Sequence, residues 1–426
     1  MKYALCALCI LIDCLPCLSQ PVCRSTDYRK HELQANPGLA QIIASIEAFT
    51  ANTLKNRPVL VTGGGSTGTT TTSENNNAAV PVITIPVVVH IVYQTAAGNI
   101  SDAQVQSQIA VLNMDYQKRN PDTAEIPSYY RSLAANCGFR FGLAQQDTVG
   151  QATTGIVRRQ TNVTAFSIDD GIKFTASGGD DGWDPDRYLN VWVGNLTGGI
   201  LGYSSIVGGP KTNDGVVVLY TAFGTNGTAT APFNLGRTTV HEVGHWLNMI
   251  HTWGDDSCGN DQVADTPPQE GPDYGDPGGI VISCGNEPYG NLYQDYMDFT
   301  NDIGMHLFTF GQRDRMRALF VAGGFRYPLL SSNVPVAVTD SAVNDDARDG
   351  ITTFPNPAMG EVTVQLADPS SMGGLLQVYD QMGRKVEEIR ITSSEMQLNV
   401  SGLAAGVYFI RVSGGKVPMA GKLVKV

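Results

Sequence analysis

Three histidines and a glutamate lie within the eleven residues HEVGHWLNMIH, which begin at His241. His241 and His245 are four positions apart, so on a helix both imidazoles project from one face, where they can bind a single zinc ion. Glu242 lies beside them and can reach a water molecule on that metal. His251 can supply a third ligand. Three histidines leave one coordination position open, which is typical of a catalytic zinc site.

The third ligand also constrains the backbone. A continuing helix would carry His251 away from the face shared by His241 and His245, so the helix must end and the chain must turn between them. We expect Asn248 to adopt left-handed dihedral angles at this turn. After glycine, asparagine is the residue that tolerates this conformation best.

The elements that position these residues follow from the apolar pattern. Residues 20–57 carry apolar side chains at helical spacing, and residues 58–79 are a Gly-, Thr- and Asn-rich flexible linker. The succession of a strand, a helix and further strands predicts an α/β or α+β domain over residues 80–328. Its predicted strands are 80–94, 139–145, 188–196 and 214–223, and Ser101 caps a helix after the first.

A second boundary is predicted over residues 329–350, which are polar and acidic without clear periodicity. Residues 351–426 form short alternating segments separated by Gly, Asn and Ser turns. This pattern predicts a small Ig-like β-sandwich after the α+β domain.

Charge and hydropathy exclude several functions. The 426 residues include 28 Lys and Arg against 40 Asp and Glu, and a net charge of −12 would repel a phosphate backbone, so we expect no nucleic-acid partner. After the N-terminal region no apolar run is long enough to span a membrane. Residues 1–19 are predicted to be a secretory signal peptide, with a Cys-anchored lipoprotein as the alternative.

The eight cysteines are unevenly distributed, with five in the first 23 residues. Removal of the signal peptide leaves Cys23, Cys137, Cys258 and Cys284. In an oxidising compartment Cys258 and Cys284 could close one loop, while the state of Cys23 and Cys137 needs another explanation.

The zinc motif, together with YMDFTNDIGMHLFTFGQ at residues 296–312, resembles the pappalysins, a metzincin family of secreted zinc endopeptidases. The likeness covers about residues 85–325. It implies a metzincin-like domain, in which a mixed twisted sheet supports an active-site helix. It also implies hydrolysis of peptide bonds by a zinc-activated water with Glu242 as the general base. By the same resemblance Met297 is the methionine of the Met-turn, which lies beneath the zinc ligands without binding the metal.

One position departs from the family pattern. Pappalysins have a tyrosine two residues after the Met-turn methionine, where it helps to stabilise the oxyanion, but this chain has Phe299. Loss of such a donor lowers turnover. A catalytically impaired metal-binding adhesin or peptide-binding module is therefore one alternative function, and a metal-dependent hydrolase of non-peptide amides is another.

Residues 252–304 contain eleven acidic side chains and no lysine or arginine. Such a loop can simply aid solubility, but it can also attract cationic peptides or supply oxygen ligands to calcium. The pappalysin resemblance implies a calcium site here, for which Asp261 and Asp265 are the best candidates. It also places Asp302 at the base of the S1′ pocket, which predicts cleavage before arginine or lysine.

The resemblance also bears on the cysteines. It implies a disulfide between Cys258 and Cys284, while Asp276 and Gly304 stand where similar sequences carry a second pair. Cys23 resembles the cysteine of a cysteine-switch propeptide, whose thiolate occupies the open zinc position. The alternative is a disulfide from Cys23 to Cys137.

Activation of such a precursor requires cleavage between residues 50 and 80. The bond between Asn56 and Arg57 fits the predicted specificity, so the enzyme could process itself.

The C-terminal segments FPNPAMGEVTVQL, LAAGVYFIRV and KLVKV resemble the sorting domain of the type IX secretion system of Bacteroidetes. The alternative is an ordinary β-sandwich binding module. The resemblance implies the type IX machinery as a partner and export across both membranes, with the protein released or attached to the cell surface. Protein or peptide substrates would then be met outside the cell.

Overall fold

The structure, a computed structural model, describes residues 22–56, 80–337, 348–349, 351–366, 372–380, 385–413 and 419–426. The predicted signal peptide and the 58–79 linker, together with Arg57, lie outside the described residues. The chain divides into two units, Met1–Thr339 and Asp340–Val426.

A mixed sheet runs through the first unit. Its strands are β1 (Val22–Cys23), β2 (Ile83–Tyr93), β3 (Phe139–Ala144), β4 (Ile156–Gln160), β5 (Leu189–Gly194), β6 (Ile200–Ser204), β7 (Val216–Leu219) and β8 (Val336–Ala337). The order across the sheet is β1-β6-β7-β5-β2-β3-β8, and β4 also pairs with β2. The central strand β2 is parallel to β3, β4 and β5 and is buried along most of its length, as expected for a strand covered on both faces. In contrast, β6 runs antiparallel to β7, and β1 adds to it in parallel.

The helices of this unit are α1 (Ser25–Ala35), α2 (Leu39–Lys55), α3 (Asp102–Tyr116), α4 (Arg237–Trp246) and α5 (Phe310–Ala318). The predicted cap of α3 is present, because the Ser101 side chain accepts a hydrogen bond from the Gln104 N–H at 3.2 Å. The apolar face of α3 packs into the core that also contains β2 and α4. None of the described helices is both long enough and apolar enough to cross a membrane.

The structure differs from the predicted elements in three places. Residues 22–56 form a short strand and two helices instead of one helical segment, because Pro37 and Gly38 interrupt the helical pattern. The strand predicted over 214–223 is shorter, since Tyr220–Ala222 form a 3-10 turn. The first unit also extends beyond the predicted boundary at 328, because β8 pairs with β3. A two-residue strand has no periodicity that a sequence pattern could reveal.

The second unit is a two-layer β-sandwich, which confirms the predicted fold class. Its strands are β9 (Arg348–Asp349), β10 (Ile351–Phe354), β11 (Glu361–Leu366), β12 (Leu375–Tyr379), β13 (Lys385–Arg390), β14 (Glu395–Asn399), β15 (Gly406–Ser413) and β16 (Met419–Lys425). They form the sheets β10-β11-β14 and β13-β12-β15-β16-β9. Val362 and Val364 of the first sheet and Leu376, Val378 and Ile410 of the second share one buried core.

Candidate active site

The helix α4 ends in the turn that the zinc motif predicts. Asn248 has a φ of +70°, which is the left-handed conformation expected from the sequence. Its N–H donates to the His245 carbonyl at 2.9 Å, and the Met249 N–H donates to the Gly244 carbonyl at 2.9 Å. These two bonds form a Schellman-type end to the helix. Because the chain reverses here, His251 returns to the face of α4 that carries the other two histidines.

The three imidazoles converge on one point. The Nε2 atom of His245 lies 3.1 Å from Nε2 of His241 and 3.0 Å from Nε2 of His251. The Cys23 sulfur joins them, and all four donor atoms lie within 4.8 Å of one another. We call these four residues the Cys–His cluster. In the part of the chain that the structure describes, it is the group of His, Cys, Asp and Glu side chains arranged to hold a metal ion.

Each histidine of the cluster is oriented by an acceptor at its other ring nitrogen. The Nδ1 atom of His241 lies 2.7 Å from the Tyr296 carbonyl oxygen, and that of His245 lies 2.9 Å from the Met249 carbonyl oxygen. The Nδ1 atom of His251 lies 2.5 Å from Asp255 Oδ1. Such acceptors hold the proton on Nδ1 and leave the Nε2 lone pair free for a metal.

The donor set fits zinc. Burial, together with the neighbouring histidines, lowers the pKa of His241, and burial lowers the pKa of His245 to about 3. Unprotonated Nε2 atoms at about 3 Å from one another repel unless a cation lies between them. Three imidazoles and a thiolate are a ligand set that zinc prefers.

Glu242 lies directly beside the cluster and is fully buried. Its Oε2 accepts a hydrogen bond from Ser25 Oγ at 2.8 Å, while Oε1 has no hydrogen-bond partner among the described residues. Burial raises the pKa of Glu242 to about 8. The strand β6 approaches closely because residue 202 is glycine. A Cβ atom at Gly202 would lie 2.9 Å from Glu242 Cγ.

Met297 lies under α4, where the Met-turn was predicted. It is fully buried, and a Cβ atom on Gly244 would lie only 2.4 Å from its sulfur, so the helix and the turn are in close contact. The Met297 N–H donates to Asp295 Oδ1 at 2.8 Å. The carbonyl of the preceding Tyr296 holds His241, so this turn orients one histidine of the Cys–His cluster through its backbone.

Phe299 is in contact with the cluster. Its ring centroid lies 5.7 Å from that of His241 and 4.8 Å from that of His251. Trp253 stacks on His251, with centroids 4.4 Å apart and an interplanar angle of 2°, and its ring centroid also lies 4.8 Å from that of Phe299. The position next to His241 and His251 is therefore occupied by an aromatic ring without a hydroxyl group.

A cavity opens beside His241 and Glu242. Its apolar lining includes Leu201, Phe233 and Met305, and Asp302 also lines it.

Asp302 also contacts the start of α4. Its Oδ2 accepts the N–H groups of Leu235 at 2.7 Å and Arg237 at 3.3 Å, so it caps the N-terminus of α4. Burial raises the pKa of Asp302 to about 6.

Several acids of the 252–304 loop are structural. Asp261, Asp295, Asp298 and Asp302 are buried, with 5%, 0%, 0% and 2% of their surfaces exposed. The interpretation of the loop as merely solubilising is wrong for these four. Asp298, for example, accepts the backbone N–H of Phe299 at 2.7 Å and the Gln269 amide at 2.8 Å, so it fixes the turn that follows Met297.

The two calcium candidates have protein partners. Asp261 accepts hydrogen bonds from the Thr266 hydroxyl at 2.7 Å and the Val263 N–H at 3.0 Å. Asp265 accepts from the Thr309 hydroxyl at 2.7 Å and the Gly311 N–H at 2.9 Å. Both carboxylates therefore organise the loop and α5, whatever else they bind.

The cysteines fall into two groups. Cys258 and Cys284 form a disulfide with a Cα–Cα distance of 5.7 Å. Cys23 and Cys137 are free thiols. The alternative prediction of a disulfide between Cys23 and Cys137 is therefore wrong. Cys137 is fully buried in the main core, while Cys23 lies next to the three histidines.

Positions 276 and 304 are also neighbours. A Cβ atom on Gly304 would lie 3.7 Å from Asp276 Oδ1.

Residues 22–56 lie across this site. The strand β1 pairs with β6, with Val22 opposite Ile200 and Cys23 opposite Gly202. At the start of α1 the Thr26 hydroxyl donates to Asp255 Oδ1 at 2.8 Å.

Further along the N-terminal segment, Glu47 of α2 contacts the turn that follows α4. Its Oε1 accepts from the Asn248 side chain at 3.0 Å and from Arg315 of α5 at 2.7 Å.

Sequence reasoning missed three of these contributors. Asp255 could have been found, because it follows His251 by four residues and a carboxylate is a common partner of a metal-binding histidine. Ser25 and the Tyr296 carbonyl carry no local signal, since they meet the site only through tertiary contacts.

A helix with two histidines and a glutamate, a third histidine after a left-handed turn and a buried methionine turn beneath them define a metzincin-type zinc peptidase. Residues 177–321 match the peptidase family described as pregnancy-associated plasma protein-A, and residues 352–426 match the secretion system C-terminal sorting domain. An extracellular metalloprotease of Pyricularia oryzae is 33% identical over 247 residues, which are 56% of this chain and 75% of that protein.

Solved structures of similar proteins support the same assignment. A mutant of Tannerella forsythia promirolysin has 39% identity and a TM-score of 0.64 over 73% of this chain and 97% of that chain. Mature mirolysin in complex with a cleaved peptide has 44% identity and a TM-score of 0.58 over 59% of this chain and 97% of that chain.

The chain belongs to the pappalysin family, which confirms the resemblance seen in the sequence. It is a secreted zinc metalloendopeptidase with a C-terminal sorting domain. These matches favour peptide hydrolysis over the adhesin and the non-peptide amide hydrolase. They also favour a sorting domain over an ordinary binding module.

Proposed function

We propose that the protein is made as a latent precursor and, once processed, cleaves polypeptides before arginine or lysine with Glu242 as the general base. The observation that carries this proposal is the Cys–His cluster, in which a thiol from the N-terminal segment meets three histidines of the catalytic unit within 4.8 Å.

The catalytic roles follow from the geometry. His241, His245 and His251 would hold the zinc, which when bound acidifies a water molecule and polarises a carbonyl. Glu242, with an oxygen that has no hydrogen-bond partner in the described residues, would take a proton from the attacking water and return it to the leaving amine. Phe299 supplies no hydrogen bond to the oxyanion.

Latency is supported by the contacts of the segment. The Cys23 thiolate would fill the position that a water molecule needs, and Ser25 occupies one oxygen of Glu242. The pairing of β1 with β6 covers the strand next to Glu242, where a substrate backbone could otherwise lie. Metal binding holds a cysteine as the thiolate, which makes this arrangement chemically consistent.

The P1′ preference is supported by the cavity beside Glu242. Its apolar lining suits the methylene groups of lysine or arginine, and Asp302 provides a buried carboxylate in the same wall. A cationic side chain with an apolar stem is complementary to this combination.

The calcium site at Asp261 and Asp265 stays a prediction. Burial raises the pKa of Asp261 to about 6, so a bound cation would offset the cost of ionising this carboxyl group. Thermal unfolding with calcium, with magnesium and with neither tests it. Calcium, but not magnesium, should raise the midpoint of thermal unfolding, and Asp261→Asn should remove that effect. Equal midpoints in all three conditions would exclude the site.

We further propose the full domain order. Residues 1–19 would be the signal peptide, 20–57 the propeptide, 58–79 the flexible linker and 80–328 the catalytic domain. Residues 329–350, which also contribute β8 to the sheet of the first unit, would lead to the sorting domain at 351–426, which the type IX machinery would recognise. N-terminal sequencing of the secreted protein, before and after activation, tests the first two boundaries.

The activity is tested with an arginine-containing peptide and the processed protein. The parent should cleave it, a zinc chelator should abolish cleavage, and added zinc should restore it. Glu242→Ala should lose activity by a factor on the order of 10³ or more. Glu270→Gln, on the neighbouring loop, is the matched control and should behave like the parent. Chelator-insensitive cleavage, or equal rates for Glu242→Ala and the parent, would contradict the proposal.

A further inference from the structure

Tyr28 of α1 fills a polar site on the catalytic unit, away from the Cys–His cluster. Only 1% of its surface is exposed. Its surroundings are Asp170, Lys173, Tyr203 and Asn213, which we call the tyrosine socket.

The socket recognises both the hydroxyl group and the ring. The Tyr28 hydroxyl donates to Asp170 Oδ2 at 2.7 Å and accepts from the Asn213 side-chain amide at 3.1 Å. The ring centroid lies 5.1 Å from that of Tyr203, and Lys173 Nζ lies 5.0 Å from it. A phenol thus has a carboxylate acceptor, an amide donor, an aromatic wall and a cation over its face.

Contacts that do not involve Tyr28 hold the socket together. Lys173 Nζ lies 2.8 Å from Asp170 Oδ1 and donates to the Asn213 carbonyl at 2.9 Å. The Asn213 amide donates to Asp170 Oδ2 at 2.6 Å, and Lys173 also lies 5.0 Å from the Tyr203 ring. Departure of the N-terminal segment would therefore leave the socket formed, with an acceptor and a donor that have lost a partner.

The socket and the cleft share strand β6 but lie on opposite faces of it. Gly202 faces Glu242, and the side chain of the next residue, Tyr203, points to the other face of the sheet. In the segment that covers the site, Cys23 and Tyr28 are five positions apart and reach the cluster and the socket at the same time. One polypeptide can therefore occupy both places.

We propose that in the processed enzyme the tyrosine socket is an exosite that binds a tyrosine side chain of the polypeptide substrate, at a distance from the scissile bond. This inference rests on the proposed function, because it requires removal of the N-terminal segment. Phenylalanine would fill the space but offer no hydroxyl group to Asp170 and Asn213, so tyrosine is preferred. A phosphorylated tyrosine is excluded by repulsion from Asp170.

The test uses processed protein obtained from the full chain. Peptides share one arginine and carry a single tyrosine at successive positions on either side, each paired with its phenylalanine counterpart. At one position the tyrosine peptide should have a kcat/KM on the order of tenfold higher, mainly through KM. In Asn213→Ala this ratio should fall towards one, and in Asn226→Ala, an exposed asparagine outside the socket, it should be retained.

A direct binding measurement separates this inference from the proposed function. N-acetyl-tyrosine amide, followed by NMR, should bind the processed protein more tightly than N-acetyl-phenylalanine amide. It should not bind the unprocessed chain, whose socket Tyr28 fills. If no peptide is cleaved, the proposed function fails and binding alone decides the socket. Equal kcat/KM values for tyrosine and phenylalanine at every position, or equal binding of the two amides, would overturn the exosite.

Discussion

The Ser25 hydroxyl donates a hydrogen bond of 2.8 Å to Glu242 Oε2 and accepts one of 2.9 Å from the backbone N–H of Ser204. This single side chain links the N-terminal segment to Glu242 and to strand β6. The Ser25 N–H also donates to the Cys23 sulfur at 3.3 Å, so the segment contacts both the Cys–His cluster and Glu242.

Ser25→Ala should weaken latency. A hydrogen bond to a buried carboxylate is lost, so processing of the precursor should be faster by about tenfold. The time course of the unprocessed chain on gels, with N-terminal sequencing of the product, measures this. Ser45→Ala, which removes an exposed hydroxyl of α2, is the matched control. Processing of Ser25→Ala at the parental rate would show that the contact has no role in latency.

Phe299→Tyr should raise kcat. The Phe299 ring lies 4.8 Å from that of His251, so an added hydroxyl would lie close to the reacting carbonyl. One oxyanion donor contributes a factor on the order of 10² to 10³, and a gain towards the lower value is expected because the rest of the site is not adapted to it. Steady-state kinetics of the processed protein measures it, with Phe299→Leu as a control that adds no donor. An unchanged or lower kcat in Phe299→Tyr would mean that another group already stabilises the oxyanion.

Asp302→Asn should reduce the preference for arginine and lysine at P1′. The asparagine carbonyl can still accept the Leu235 N–H, so the cap of α4 is kept while the charge is removed. Mass spectrometry of a cleaved peptide library gives the ratio of cationic to apolar P1′ residues. That ratio should fall about tenfold or more, whereas Asp256→Asn, an exposed acid of the same loop, should leave it unchanged. A parental cleavage profile for Asp302→Asn would rule out this specificity role.

Asn248→Val should impair the metal centre, while Asn248→Gly should be tolerated. The φ of +70° costs a β-branched residue about 1–2 kcal/mol, which glycine does not incur. Both variants lose the side-chain contact to Glu47, so their difference reports the backbone alone. Zinc content and the thermal unfolding midpoint should both be lower for valine than for glycine. Equal values for the two variants would show that the turn is not strained.

The sequence predicted the parts of the site that are local in the chain. The spacing of His241 and His245 required a helix, the position of His251 required a turn, and Asn248 was the residue suited to it. All three expectations concern backbone geometry within eleven residues, where helix periodicity and allowed dihedral angles restrict the possible conformations. The place of Met297 needed a family resemblance, because a buried methionine has no distinctive pattern.

The remainder depended on tertiary contacts. Ser25 and Glu242 are 217 positions apart, and Tyr28 and Asp170 are 142 apart, so no periodicity connects them. Asp302 illustrates a different limit. Its side chain was assigned to a pocket, but only the structure shows that it also caps α4.

The central claim, a zinc site closed by a thiol of the N-terminal segment, is tested most directly by zinc X-ray absorption on the full chain. The unprocessed protein should show one sulfur and three nitrogen ligands, with the sulfur at a zinc distance of about 2.3 Å. Cys23→Ser, and the processed parent, should both lack the sulfur ligand and keep the three nitrogens. A full chain that binds zinc without sulfur, or a coordination that is the same before and after processing, would contradict the account.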